Sequence, residues 1–341
     1  MQDYILIIIS LVSFILSFFG FKTYKKYSIK KNFLDKPNAM SMHKSAIPTG
    51  AGIIIIITLF LIYLLINILF YYKIIDINFP NRDYLIIISI CSLGLISFID
   101  DIKQVHPLYR LLFHLIFAMI SVPLFSYELL NFELIIPEKI TFIIIIFLWV
   151  YLINIFNFLD GSNGYLSLNT IFALLSYCLV NFYNNNLNFD FLFILSLLSI
   201  LIIYLYFNFP TAKIFMGDSG SIVIGYVVGY VFFDLCFNGF WYIAFAIISY
   251  PIFDVSLTIL QKSLNGKYPW ERLFDYFFLN ALKSTNNNHN KIFYISFLYN
   301  ILNFIVILSM IIFKIKYLLT ISIFLGLLKI YYYKKMTLGR T

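Results

Sequence analysis

Eleven apolar runs of 16 to 23 residues constrain this chain more than any other feature. They cover residues 4–20, 50–72, 84–99, 109–127, 141–157, 165–183, 190–207, 219–237, 239–261, 292–313 and 317–333. About 20 apolar residues cross the hydrocarbon core of a bilayer. A backbone in lipid must satisfy its own hydrogen bonds, and the ten-residue alternation of a barrel is absent, so these runs are predicted to be helices. Of the 341 residues 62% are hydrophobic and 12% charged, with a mean hydropathy of +0.90. Soluble domains are roughly 45–50% apolar and about 25% charged. A soluble globular enzyme and a disordered chain are both excluded. The expected fold class is an all-α integral membrane protein of about eleven transmembrane helices, a single polytopic domain over residues 1–341. Tyr4–Gly20 has no basic stretch before it and no small-residue cleavage site after it, so it is expected to be the first span rather than a cleaved leader. Cys91, Cys178 and Cys236 all fall in apolar runs and form no CxxC pair, which fits packing residues better than a disulfide framework.

Charge sets the expected orientation. If the runs alternate across the membrane, nineteen of the 24 Lys and Arg residues lie on the side that holds residues 21–49. The positive-inside rule makes that side cytoplasmic, with the N-terminus outside and the C-terminus inside. The net charge of +8 then belongs to loops that face anionic headgroups, and no nucleic-acid partner is expected. The stretch Thr285–Asn290 is a short polar low-complexity loop.

The same side gathers Asp35, Asp100, Asp101, Asp160, Asp218 and Asp254 at or near the ends of the runs. Carboxylates this close repel one another unless a cation sits among them. Mg²⁺ is the natural candidate, since it binds through one or two carboxylates plus substrate phosphates. Asp100 and Asp101 close the third run. Adjacent residues do not share a helix face, so one can meet a ligand while the other caps or orients. Asn154, Asn157 and Asp160 are spaced three apart and extend one polar face to the membrane edge, where Gly161 and Gly164 permit a close turn. Phe215–Ser221, with Gly217 and Asp218 at its centre, opens the eighth run, and a helix start of this kind favours phosphate. Asp35, Pro37, Asn38, Ser41 and His43, followed by Pro48, Gly50 and Gly52, fill the first inner loop. There His43 and Lys44 are candidates to meet phosphate.

Five motifs in order resemble the polyprenyl-phosphate N-acetylhexosamine-1-phosphate transferases of glycosyltransferase family 4. They are DxPN…SxH…PxGxG from Asp35, the Asp100-Asp101 pair, NxxNFxDGxxG from Asn154, FN…FMGDxGS through Asn208 to Ser221, and PxFD ending at Asp254. The nearest look is to the eleven-span, undecaprenyl-phosphate GlcNAc-1-phosphate transferase-like branch that starts cell-surface polysaccharides such as lipopolysaccharide O-antigen. The resemblance implies an inner-membrane, multi-pass transferase with its active site on the cytoplasmic face. It would pass a sugar 1-phosphate from a UDP-N-acetylhexosamine to polyprenyl phosphate and release UMP. Mg²⁺ is the implied cofactor, with Mn²⁺ as a substitute, and a homodimer is a further expectation.

The family implies catalytic roles for Asp100, Asp101 and Asp160, and metal contact for Asp218 and Asp101. Substrate contact would come from Asp35, Asn38, His43, Asn154, Asn157, Gly161, Asn208, Gly217 and Lys262. Apart from Asn154, which lies within the fifth run, these residues sit in inner segments 21–49, 100–108, 157–165, 208–221 and 254–291. Direct displacement and a two-step covalent route both stay open.

Two departures stand out. Met40 occupies a position where relatives carry Arg. Leu273 and Tyr276 align with the histidines, and Phe274 with the Arg, of a WxxHRxHxY-like element in the last inner loop. A degenerate copy acting as a scaffold, and a lipid or solute transporter, are the competing function classes.

Overall fold

A computed structural model describes residues 2–37, 42–75, 83–103, 105–125, 138–266, 268 and 275–338. Asn38, Met40, Ser41, Leu273 and Phe274 lie outside the described residues.

The apolar runs are helices: α1 (Gln2–Lys30), α2 (Gly52–Tyr71), α3 (Tyr84–Lys103), α4 (Pro107–Ser121), α5 (Glu138–Phe158), α6 (Tyr165–Tyr183), α7 (Phe189–Asn208), α8 (Asp218–Phe237) and α9 (Trp241–Leu264), then a short α10 (Phe277–Ser284), α11 (His289–Phe313) and α12 (Leu319–Leu338). Among the described residues ten helices are long and apolar enough to cross a membrane. The chain is an all-α, multi-pass membrane protein. The eleventh run is α12, which is equally long but carries Lys329, Lys334 and Lys335. A two-residue β-pair interrupts the helices in the first inner loop. Leu34–Asp35 runs antiparallel to Ile47–Pro48, with Leu34 opposite Pro48.

The bundle is built around α8. Every residue of α8 except Asp218 and Asp234 is buried, which only a helix ringed by other helices achieves. Lipid tails are as apolar as leucine, so helices in a membrane associate by close packing at small residues. At Gly225 a Cβ would lie 2.7 Å from the carbonyl oxygen of Ile153 in α5. One turn on, Trp149 packs over Gly229 and donates its Nε1–H to the Tyr226 carbonyl at 3.0 Å. On the α2 side, Gly52 meets Gly220 backbone to backbone. The outer helices, by contrast, turn large apolar side chains outward, as α1 does with Tyr4, Ile7, Leu11 and Phe14. A lipid-facing surface has this character, and a water-facing one does not.

The cation in α12 is buried. Lys329 is 4% exposed. Its Nζ donates to Ser296 Oγ at 2.8 Å and sits 3.5 Å from the Tyr250 ring centroid and 4.5 Å from that of Tyr299. Of the three cysteines, Cys178 and Cys236 are buried and Cys91 is half-buried, all as free thiols.

Candidate functional site

Helix α3 ends in Asp100 and Asp101, and the two side chains do different jobs. Asp100 is buried. Its Oδ1 accepts the Val105 N–H at 2.6 Å, which holds the turn into α4. Asp101 reaches across to the start of α8, where Oδ1 accepts the Asp218 N–H at 2.9 Å and Oδ2 the Ser219 N–H at 3.2 Å. A carboxylate from another helix thus caps α8, satisfying orphan amides and meeting the positive end of the helix dipole. Gly217 makes this approach possible. Its φ is +74° and a Cβ there would lie 2.5 Å from Asp101 Oδ2. The sequence suggested that this helix start is open to phosphate, but its first amides are taken by Asp101 instead.

Arg110, three residues into α4, closes the cluster. Nη1 lies 2.7 Å from Asp100 Oδ2 and Nη2 lies 2.7 Å from Asp218 Oδ2. One planar guanidinium therefore ties the end of α3 to the start of α8. Asn157, in the last turn of α5, completes the ring. In the amide orientation that satisfies both its ends, the nitrogen donates to Asp218 Oδ1 at 3.3 Å and to Ser221 Oγ at 2.8 Å. The oxygen then accepts from Arg110 Nη2 at 3.3 Å.

Asp160 lies two residues beyond α5. Burial, then the neighbouring charges of Asp218 and Asp101, push its carboxyl up from 3.8 to about 7. The folded state therefore holds the Asp160 proton more tightly than the unfolded chain does. The stability linked to that proton is fully present below about pH 4 and is lost as pH rises through about 7. Full ionisation corresponds to roughly 4 kcal/mol at ~1.4 kcal/mol per pH unit, less where water reaches the carboxylate. D160N, which cannot ionise, is expected to melt several degrees above the parent at pH 8 and close to it near pH 4. Thermal unfolding in detergent at the two pH values checks this, and an equal offset at both would contradict it.

The remaining expected site residues are placed as follows. Asp35 Oδ2 pairs with His43 Nε2 at 3.2 Å, while His43 Nδ1 lies 2.8 Å from the Ser45 carbonyl and its ring stands edge-on to Phe215. That loop is sewn to the segment before α8. Phe215 N–H donates to the Pro48 carbonyl at 2.6 Å and Gly52 N–H to that of Met216 at 2.8 Å. Gly161 packs on Leu279 of α10. Asn154 turns back on its own helix, donating to the Val150 carbonyl at 2.7 Å. Asn208 spends its amide on backbone, accepting from Gly164 N–H at 2.6 Å and donating to the Ile214 carbonyl at 2.9 Å. It ties two loops together. Lys262 is buried at the end of α9, 5.6 Å from the Tyr276 ring centroid.

Asp254 is held by the start of α10. Its Oδ1 accepts the Phe277 N–H at 2.8 Å and Oδ2 the Phe278 N–H at 3.3 Å, with a further bond from Tyr250 OH. It caps α10. Tyr276, where relatives are expected to carry histidine, stacks on Phe158 at 5.3 Å and continues into the apolar face of α10.

Two residues were not singled out as site residues from the sequence. Arg110 counted only as one inner-loop charge, yet its place three residues after Pro107 puts it within reach of the α3 end. His289, in the polar low-complexity loop, accepts the Asn163 N–H on Nδ1 at 3.2 Å. Its Nε2 faces the Met42 carbonyl at 3.4 Å. It joins the first inner loop to the loop after α5.

The family model for glycosyl transferase family 4 matches residues 84–235, the stretch that supplies Asp100, Asp101, Arg110, Asn157, Asp160 and Asp218. The chain is 24% identical over 289 residues to the phospho-N-acetylmuramoyl-pentapeptide-transferase of Streptococcus pneumoniae serotype 2, covering 77% of this chain and 83% of that one. It is 26% identical over 292 residues to the enzyme of the same name from Staphylococcus saprophyticus, covering 77% and 86%. Over 158 residues it is 32% identical to that of Lactobacillus helveticus, covering 42% and 48%. The chain carries a glycosyl transferase family 4 domain from α3 into α8, and its homologues are phospho-N-acetylmuramoyl-pentapeptide transferases.

Proposed function

We propose that this protein transfers an N-acetylhexosamine 1-phosphate from a UDP-sugar to polyprenyl phosphate and releases UMP. The observation that carries the reading is the convergence of Asp100, Asn157 and Asp218 on Arg110, with Asp101 bonded to the start of α8 and Asp160 beside Asp101 and Asp218, at one end of a membrane-embedded bundle. The acceptor is a long lipid and the donor is soluble, so chemistry at a helix-end cluster lets both reach it. An oxygen of the lipid phosphate would form the new bond to the β-phosphorus. The bond from that phosphorus to the bridging oxygen would break, and the electron pair would leave with UMP.

Asp218 and Asp101 would hold Mg²⁺ or Mn²⁺. The donor set fits, because hard oxygen ligands in ones and twos suit Mg²⁺. The bound ion would neutralise charge on the pyrophosphate. Asp160, poised near pH 7, is the group suited to take a proton from the lipid phosphate. The Asp35–His43 pair and Lys262 would supply further substrate contacts. If the runs alternate across the membrane, most Lys and Arg lie on the side of this cluster, which supports an active site at the cytoplasmic face of the bacterial inner membrane.

UMP release by the purified protein tests the reading. The assay uses undecaprenyl phosphate, a panel of UDP-N-acetylhexosamines that includes UDP-N-acetylmuramoyl-pentapeptide, and Mg²⁺ or EDTA. Metal-dependent UMP with one donor is expected. No UMP with any donor from folded protein would contradict the reading and favour a scaffold whose last inner loop, with Tyr276 packed on Phe158, has lost the chemistry.

A further inference from the structure

The acid cluster contains a cation supplied by the chain itself. Arg110 bonds Asp218 Oδ2 through Nη2 and Asp100 Oδ2 through Nη1, each at 2.7 Å. The Asp218 side chain is 32% exposed, whereas that of Asp100 is 8% exposed and is also held by the Val105 N–H. The two halves of the guanidinium bridge are therefore unequal. One is anchored inside, and the other rests on a carboxylate open to solvent. A divalent ion on Asp218 needs carboxylate oxygen at about 2.0–2.6 Å. Asp218 Oδ1 faces the Asn157 amide, so an incoming ion and the guanidinium would share Oδ2 and stand within a few ångströms as like charges.

We propose that Arg110 competes with divalent metal for Asp218. It neutralises the carboxylates in the substrate-free protein, and metal entry moves the guanidinium off Asp218 while it stays anchored to Asp100. This deepens the reading of Asp218 as a metal ligand and rests on it.

Mn²⁺ titration of the purified full-length protein, without nucleotide or lipid phosphate, tests the proposal through the electron paramagnetic resonance signal of free Mn²⁺. Five proteins are compared: the parent, R110M, R110Q, K103M and D218N. R110M and R110Q are expected to bind Mn²⁺ about tenfold more tightly than the parent. K103M removes an exposed charge nearby, which solvent screens, and is expected to change affinity less than twofold. D218N is expected to lose the site. R110Q keeps a polar side chain should R110M fail to fold. Parent-like or weaker binding in both Arg110 variants, with binding still lost in D218N, would overturn the competition and leave the metal reading intact. A gain in K103M equal to that in R110M would reduce the effect to general charge and also overturn it. No Mn²⁺ binding in any of the five would overturn the metal reading and the competition together.

Discussion

Asp218→Asn is expected to lower turnover by about a hundredfold to a thousandfold, the scale seen when a site loses a group that stabilises transition-state charge. The substitution keeps the backbone N–H that donates to Asp101 at 2.9 Å, so the capped start of α8 survives. It also keeps an oxygen able to accept from Arg110. What it removes is the negative charge that a divalent ion requires. D218N protein should therefore insert, purify and melt close to the parent while making UMP at background rates. Steady-state UMP release at saturating donor, beside a melting curve, separates the two effects. Turnover within tenfold of the parent would place the metal elsewhere in the cluster.

Gly52→Ala is expected to destabilise the fold more than other single-methyl changes in the bundle. A Cβ at Gly52 would overlap the backbone of Gly220 and Ser219. Backbone cannot rotate away as a side chain can, so α2 and α8 must part. Overpacking of this kind costs ~1–3 kcal/mol, sometimes more, and this site belongs at the upper end. The damage also reaches the chemistry. Gly52 N–H is bonded to Met216 at 2.8 Å, and Ser219 N–H to Asp101, so displacing α8 shifts the caps that fix Asp101 and Asp218. Gly326→Ala is the control, because a Cβ there first meets the Phe253 side chain at 3.3 Å. Tryptophan-fluorescence melting in detergent should show a fall for G52A at least twice that for G326A. Equal shifts would mean that the α2–α8 contact yields easily.

The helical architecture was legible because lipid leaves a chain few choices. Ten of the eleven apolar runs are helices long and apolar enough to span. The eleventh, α12, hides its charge, since Lys329 is sequestered among tyrosines from α9 and α11, a pairing that no local window contains. The aspartates stood out in the sequence because they recur with Asn and Gly at the ends of apolar runs on one side. Their division of labour did not. Asp101 caps a helix that begins 117 residues later, and whether a carboxylate faces solvent or an amide depends on which helix ends meet. Asn208 and Asn154 both sit in polar motifs, and each bonds backbone, a pairing that spacing alone does not foretell. Arg110 and His289 lay in stretches without a strong motif, and only tertiary pairing reveals them.

The fate of the β-phosphate tests the central claim most directly. The donor is a UDP-N-acetylhexosamine labelled with ³²P at the β-phosphorus, incubated with the purified protein and undecaprenyl phosphate. The account predicts that the label moves to the organic phase with the lipid, in step with UMP, and that D218N abolishes both. Label that stays in water as free sugar phosphate would show hydrolysis rather than transfer. Label that stays in the donor, from protein that is folded, would contradict the assignment of this cluster as a phosphosugar transferase site.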